Sequence, residues 1–139
     1  MNKILFYTII ILAIIGSYFI YKQQTNKMDN KEGKLVVEVL KEGSGEPAKT
    51  NDKLTVNYTG KLEDGTKFDS SFDRGQPFIF TLGVGQVIKG WDKGLIGAKV
   101  GEKLKLTIPP SLAYGESGAG SIIPPNSTLT FEIEVVNIQ

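Results

Sequence analysis

The stretch FDSSFDRGQPFIF, Phe68 to Phe80, sets four phenylalanines among two aspartates and one arginine within thirteen residues. Four rings are too many for a solvated loop and three charges too many for a plain core strand, so the segment reads as the wall of a pocket. Its end is extended: Phe78, Ile79 and Phe80 with Leu82 form a predicted strand in which Phe78 and Phe80 share one face. A phenylalanine in a β-rich chain is more often core than site, and Phe80 is left between the pocket margin and the core. Val87, Ile88 and Trp91 follow within eleven residues of Phe80, near enough to join one apolar concavity.

Outward from this stretch the pattern is that of strands. Leu54, Val56 and Tyr58 alternate with polar residues, as do Leu104, Leu106 and Ile108, then Leu129, Phe131, Ile133 and Val135. A period of two puts one face on a core and the other in water. Asp64-Gly65 signals a hairpin turn between a strand ending near Leu62 and one beginning near Lys67. One helix is predicted in VIKGWDKGLIGAKVG, with Val87, Trp91 and Leu95 at i, i+4 and i+8 on one face and Gly101 as terminator. It is short and glycine-rich, so packing rather than propensity has to hold it. One short helix against a largely antiparallel sheet is an α+β arrangement, expected over residues 35–139.

The chain of 139 residues has room for one ordinary domain and a short appendage. Its 16 basic and 15 acidic residues create no field that gathers nucleic acid, and no such partner is expected. There is no cysteine and no histidine. That removes disulfides, thiolate nucleophiles, hydrolase triads and the commonest metal ligands. Asp69 and Asp73 alone make a poor metal site, so neither a metal nor another cofactor is expected.

Residues Ile4 to Tyr21 are eighteen uncharged, mostly apolar positions between Lys3 and Lys22. As a helix at ~1.5 Å per residue they extend about 27 Å, close to the roughly 30 Å hydrocarbon thickness of a bilayer. An N-terminal transmembrane anchor over residues 1–21 is expected, with Tyr7, Tyr18, Phe19 and Tyr21 toward the interfaces. The alternative is a signal peptide, whose apolar region runs ~7–15 residues and ends in a small-x-small site that this stretch lacks. Residues 22–34, KQQTNKMDNKEGK, have no apolar period and are expected to be a flexible polar tether with an end-to-end distance on the order of 20 Å. Lys22, Lys27, Lys31 and Lys34 favour a cytoplasmic domain under the positive-inside rule, whereas so short an N-terminal tail often stays inside as a signal anchor. Both sides of the membrane remain open. The domain itself carries 11 basic and 13 acidic residues, so the positive excess belongs to anchor and tether.

Three segments, VNYTGKLEDGTKFDSSFDRGQPFIF, LGVGQVIKGWDKGL and LAYGESGAGSIIPPNSTLTFEIEVV, in this order and spacing, resemble the FKBP family of peptidyl-prolyl cis-trans isomerases. The resemblance runs from about Leu35 to the C-terminus. It implies a strongly curved antiparallel sheet wrapped around one short helix, with an apolar pocket between them. Carried over by position, the catalytic set is Tyr58, Asp69, Ile88, Tyr114 and Phe131, and the substrate-binding set is Phe68, Arg74, Phe78, Val87, Trp91 and Ile123. Trp91 would be the floor, and the loop from Tyr114 to Thr128 would overhang the pocket. The Ile88 N–H and the Tyr114 hydroxyl would hold carbonyl groups flanking the proline. Asp69 would sit near the Tyr58 hydroxyl and the Arg74 guanidinium, with direct influence on catalysis and support of the pocket equally open. Proline-containing polypeptides and macrolide inhibitors are the implied partners, for a monomeric domain that assists folding near a membrane. Ala119 and Gly120 stand where some members carry histidine and proline, and Gln86 where some carry an acidic residue.

The reaction needs none of the missing residues. An X-Pro bond is planar through resonance, with a rotation barrier of ~18–20 kcal/mol, and no covalent bond is broken when it turns. Shape, desolvation and a few directed hydrogen bonds suffice. The alternative is a module that holds proline-containing segments without turnover.

Overall fold

The computed structural model describes residues 13–17 and 33–139. Residues 13–17 are helical and exposed. The rest of the expected anchor, and all of the tether before residue 33, lie outside the described residues. Among the described residues no helix is long and apolar enough to cross a membrane. The chain divides into two units, Met1–Glu32 and Gly33–Gln139, and the second holds the sheet.

Six strands build that sheet: β1 (Val36–Lys41), β2 (Lys53–Leu62), β3 (Lys67–Ser70), β4 (Phe78–Thr81), β5 (Lys103–Ile108) and β6 (Leu129–Ile138). Their order is β1-β5-β6-β2-β3, with β4 also on β2, and every pairing is antiparallel. The period-two pattern is what the sheet uses. Leu54, Val56 and Tyr58 of β2, Leu104, Leu106 and Ile108 of β5, and Leu129, Phe131, Ile133 and Val135 of β6 are all buried. Burial of apolar side chains this large contributes about 1.5–3 kcal/mol each, so this face dominates the stability of the domain. The hairpin turns at Asp64-Gly65, where the Leu62 N–H donates to the Thr66 carbonyl at 2.9 Å and the Thr66 N–H to Asp64 Oδ1 at 2.9 Å. Strand β1 lies at the sheet edge, where Glu38, Lys41 and a bulge between Val39 and Lys41 discourage further pairing.

Among the described residues of this unit two short α-helices, α1 (Ser71–Arg74) and α2 (Lys89–Gly94), and two 3-10 turns, Pro110–Leu112 and Gly115–Ser117, complete the fold. Helix α2 is shorter than the sequence pattern implies. Val87 precedes its N-cap, Ile88, whose ψ of 150° is extended, and so Val87 is not on the helix. At the other end the helix stops well before Gly101: Gly97 takes the left-handed conformation at φ 86° and its N–H donates to the Ala48 carbonyl at 2.7 Å. Packing holds what remains. A Cβ at Gly90 would lie 2.4 Å from Ile108 Cγ2, so the glycine that weakens the helix also lets it sit down on β5. Trp91 and Leu95 enter the core from this side.

Candidate active site

Strand β2 underlies the cavity, and one of its edges changes partner part-way. Residues 53–56 pair with β4 and residues 59–61 with β3, which leaves Asn57 and Tyr58 without a strand on that edge. Helix α1 fills the gap. The fully buried Ser71 places its Oγ 2.8 Å from the Tyr58 N–H, which donates to it. Ser70 starts the helix by accepting the Phe72 N–H at 3.2 Å, an N-cap that turns the chain back over β2. Asp69 before the turn and Arg74 at its end thereby meet over Tyr58.

These three side chains close a triangle. The Tyr58 hydroxyl donates to Asp69 Oδ2, Arg74 Nη1 donates to Asp69 Oδ1, and Arg74 Nη2 donates to the Tyr58 hydroxyl oxygen at 2.8 Å. The guanidinium carbon lies 5.6 Å from the Tyr58 ring centroid, within cation–π range. Partial burial pushes the Asp69 carboxyl up, but the hydrogen bonds from Tyr58 and Arg74 and the Arg74 charge outweigh it and hold the group below its ordinary value. Burial, helped by the bond to Asp69, pushes the Tyr58 phenol up against the opposing pull of Arg74. At neutral pH the corner is therefore a carboxylate, a neutral phenol and a guanidinium, and none is poised to exchange a proton with a ligand.

The floor is aromatic. Trp91 meets Tyr58 at 5.0 Å and 85°, Phe131 at 5.3 Å and 87°, and Phe78 at 6.1 Å and 75°. Phe68 meets Phe131 at 5.5 Å and 89°. Edge-to-face contacts of this kind add about 0.5–1.5 kcal/mol each beyond burial. Gly60 makes the last one possible, since a Cβ there would stand 2.7 Å from both the Phe68 and Phe131 rings. Trp91 Nε1 is buried and makes no hydrogen bond, so packing rather than a polar contact fixes the indole.

Corner and floor enclose a cavity of about 500 Å³, lined by Tyr58, Phe68, Asp69, Arg74, Phe78, Gln86, Val87, Ile88, Trp91, Tyr114 and Phe131. Ten of the eleven residues expected from the sequence line it. Ile123 does not: it is 5% exposed and packs in the core. The reason is local. Ala119 and Ile123 form a bridge, with N–H to carbonyl distances of 2.9 and 3.0 Å, that turns Ile123 inward and leaves Ile122 outside at 60% exposure. Phe80 resolves to the core side, buried and stacked on Phe78 at 5.6 Å and 18°. Gln86 lines the cavity, its Oε1 accepting the Thr81 N–H at 2.8 Å. Sequence reasoning marked Gln86 only as a departure from members that carry an acidic residue there, and it passed over Ser71. The Ser-Ser pair ahead of Phe72 is the N-cap signal that could have found the turn. Among the described residues no group of three or more acidic side chains is placed to hold a metal ion.

Residues 44–136 match the model of the FKBP-type peptidyl-prolyl cis-trans isomerases. The chain belongs to the FKBP family. It is 58% identical over 106 residues to the FK506-binding protein of Neisseria meningitidis serogroup A, covering 76% of this chain and 97% of that one. Against FK506-binding protein 2 of Yarrowia lipolytica the identity is 49% over 142 residues, covering 99% of this chain and 94% of the relative. Among solved structures, the crystal structure of AtFKBP13 superposes with a TM-score of 0.72 at 41% identity, over 76% of this chain and 93% of that chain. This FKBP is thus a peptidyl-prolyl cis-trans isomerase, and its antiparallel sheet and short helix are those of the family. In the cavity of this FKBP the aromatic floor and the polar corner share a residue, Tyr58.

Proposed function

We propose that the X-Pro bond turns inside the cavity of about 500 Å³, with the prolyl ring over Trp91 and against Phe131 and Val87. The observation that carries this reading is an aromatic concavity beside a corner whose ionisable groups are all engaged with one another. Twisting the amide through 90° removes its resonance and charge separation, so the transition state is less polar than the ground state and gains in a water-poor site. The Ile88 N–H has no acceptor among the hydrogen bonds of the described residues, and the Tyr114 hydroxyl reaches the same cavity. These two donors hold the carbonyl groups flanking the proline. Asp69 fixes the Tyr58 ring and polarises one wall without transferring a proton.

The test is a pair of rate measurements on a short X-Pro peptide. A solvent deuterium isotope effect of about one is expected, because no proton moves in the rate-limiting twist. Phe131→Ala is expected to lower kcat/KM about tenfold or more with the far-UV spectrum unchanged. A large isotope effect would replace this reading with proton transfer, and a folded Phe131→Ala of full activity would place the reaction elsewhere. The names of the relatives say that they bind FK506, and we carry that property over to this cavity.

The setting rests on sequence alone. The eighteen uncharged, mostly apolar residues from Ile4 to Tyr21 and the polar segment after them support a domain tethered beside a bilayer. Sedimentation with membranes, with release by detergent but not by high salt, is the expected behaviour. Recovery in the soluble fraction would remove the tether from the proposal.

A further inference from the structure

Residues 82–88, between β4 and α2, carry Val87 and Ile88 into the cavity wall, yet Gly83, Val84, Gly85 and Gln86 are all exposed. Leu82 is fully buried and Val87 and Ile88 pack partly buried against the core, but little apolar packing holds the stretch between them. A carboxylate does: Asp92 Oδ1 accepts the Gly83 N–H at 2.8 Å, and Asp92 Oδ2 accepts the Gly85 N–H at 2.9 Å. Both glycines are left-handed, at φ 81° and 78°, and so turn their N–H groups toward one acceptor in a conformation that other residues resist. The base of the loop is closed by Gln86 Oε1 on the Thr81 N–H.

Asp92 follows Trp91 directly on α2. One turn of helix therefore bears both the cavity floor and the clamp on the cavity wall. The Ile88 carbonyl accepts the Trp91 N–H at 3.0 Å and the Asp92 N–H at 3.2 Å, which ties the end of the loop to the same turn. The two bonds to Asp92 fix the loop's middle to α2 and, together with the backbone bonds and core packing that hold its end, set the position of Val87 and of the Ile88 N–H relative to the indole.

We propose that Asp92 is a positioning residue for substrate binding, holding Val87 and the Ile88 N–H in place over Trp91; this rests on the reading of Ile88 as a substrate donor. Without the clamp the substrate itself must order the loop, an entropic cost borne equally in the ground and transition states. Such a loss raises KM and leaves kcat nearly unchanged.

The test uses the intact chain in detergent micelles with a short X-Pro peptide. Asp92→Ala removes both acceptors, whereas Asp92→Asn keeps one oxygen acceptor and the side-chain shape. KM is expected to rise about tenfold in Asp92→Ala and about threefold in Asp92→Asn, with kcat within about twofold of the wild type. Amide exchange at Gly83 and Gly85 should quicken while Leu54 and Ile133 keep their protection. A purely structural role would lower the active fraction, giving a smaller apparent kcat at unchanged KM, and that result in the shape-preserving Asp92→Asn overturns the inference. The peptide must also shift the Ile88 amide resonance of the wild-type chain. An unmoved Ile88 amide overturns the site reading and this inference together; a shifted amide with unaltered KM in the variants overturns the inference alone.

Discussion

Tyr58, Trp91 and Phe131 are 6%, 4% and 4% exposed, whereas the Asp69 and Arg74 side chains on the same cavity stay 40% and 43% exposed. The floor is core that happens to border a void, and the polar corner is surface folded back on itself. The difference teaches where mutation should act on folding and where on function alone. Floor residues stabilise the domain through edge-to-face contacts and burial, so removing one harms both properties. Corner residues hold one another through one exposed and two part-buried hydrogen bonds, and an ion pair as exposed as Asp69–Arg74 contributes little to stability.

The largest effect expected is at the centre of the floor. Trp91→Ala should cost about 3–5 kcal/mol in urea unfolding and most of the isomerisation rate. Stability within about 1 kcal/mol of the wild type would show that floor and core are separate after all. Ile123 sharpens the boundary next: Ile123→Ala should destabilise by about 2–5 kcal/mol, while its neighbour Ile122→Ala stays within about 0.5 kcal/mol. Comparable losses at the two positions would contradict the inward turn made at the Ala119–Ile123 bridge. Ser71→Ala leaves the buried Tyr58 N–H unpaired and should cost about 1–3 kcal/mol with a weakened corner, read by unfolding and by kcat/KM together.

The smallest effect expected is that of pH. The folded-state value of Asp69 lies below its ordinary value, so its contribution is present above the unfolded carboxylate range and is lost only as pH falls through the folded value. Tyr58 is shifted upward and stays neutral. The rate should therefore be flat between about pH 5 and 9, with the corner loosening only below about pH 4. A bell-shaped profile inside that window would give the corner a proton-transfer role and break the contrast with the floor.

Much of this contrast was legible in the chain. Alternation in β2, β5 and β6 names the core face residue by residue, because one face of an antiparallel sheet is buried and the pattern has period two. The motifs around Phe68, Trp91 and Tyr114 locate the cavity lining through their resemblance to a family. Three features were not legible, for distinct physical reasons. Helix α2 is cut short by the extended backbone of Ile88 at one end and by the left-handed Gly97, bonded to the Ala48 carbonyl, at the other, neither of which helical periodicity registers. Ile123 and Ile122 are equivalent as apolar neighbours, and only the backbone bridge decides which turns inward. Ser71 and Asp92 act through backbone N–H groups up to thirteen residues away, and hydrogen bonds to main chain leave little trace in side-chain pattern. The stretch from Ile4 to Tyr21 lies mostly outside the described residues, and the membrane setting stands on its sequence.

The most direct test of catalysis inside the cavity is exchange spectroscopy of a short X-Pro peptide with the intact chain while FK506 is titrated in. The chain should accelerate cis–trans exchange, and the acceleration should fall to the uncatalysed rate as the macrolide fills the cavity and perturbs the Trp91 and Phe131 resonances. Acceleration that persists with the cavity occupied would mean that the bond turns somewhere else on the molecule.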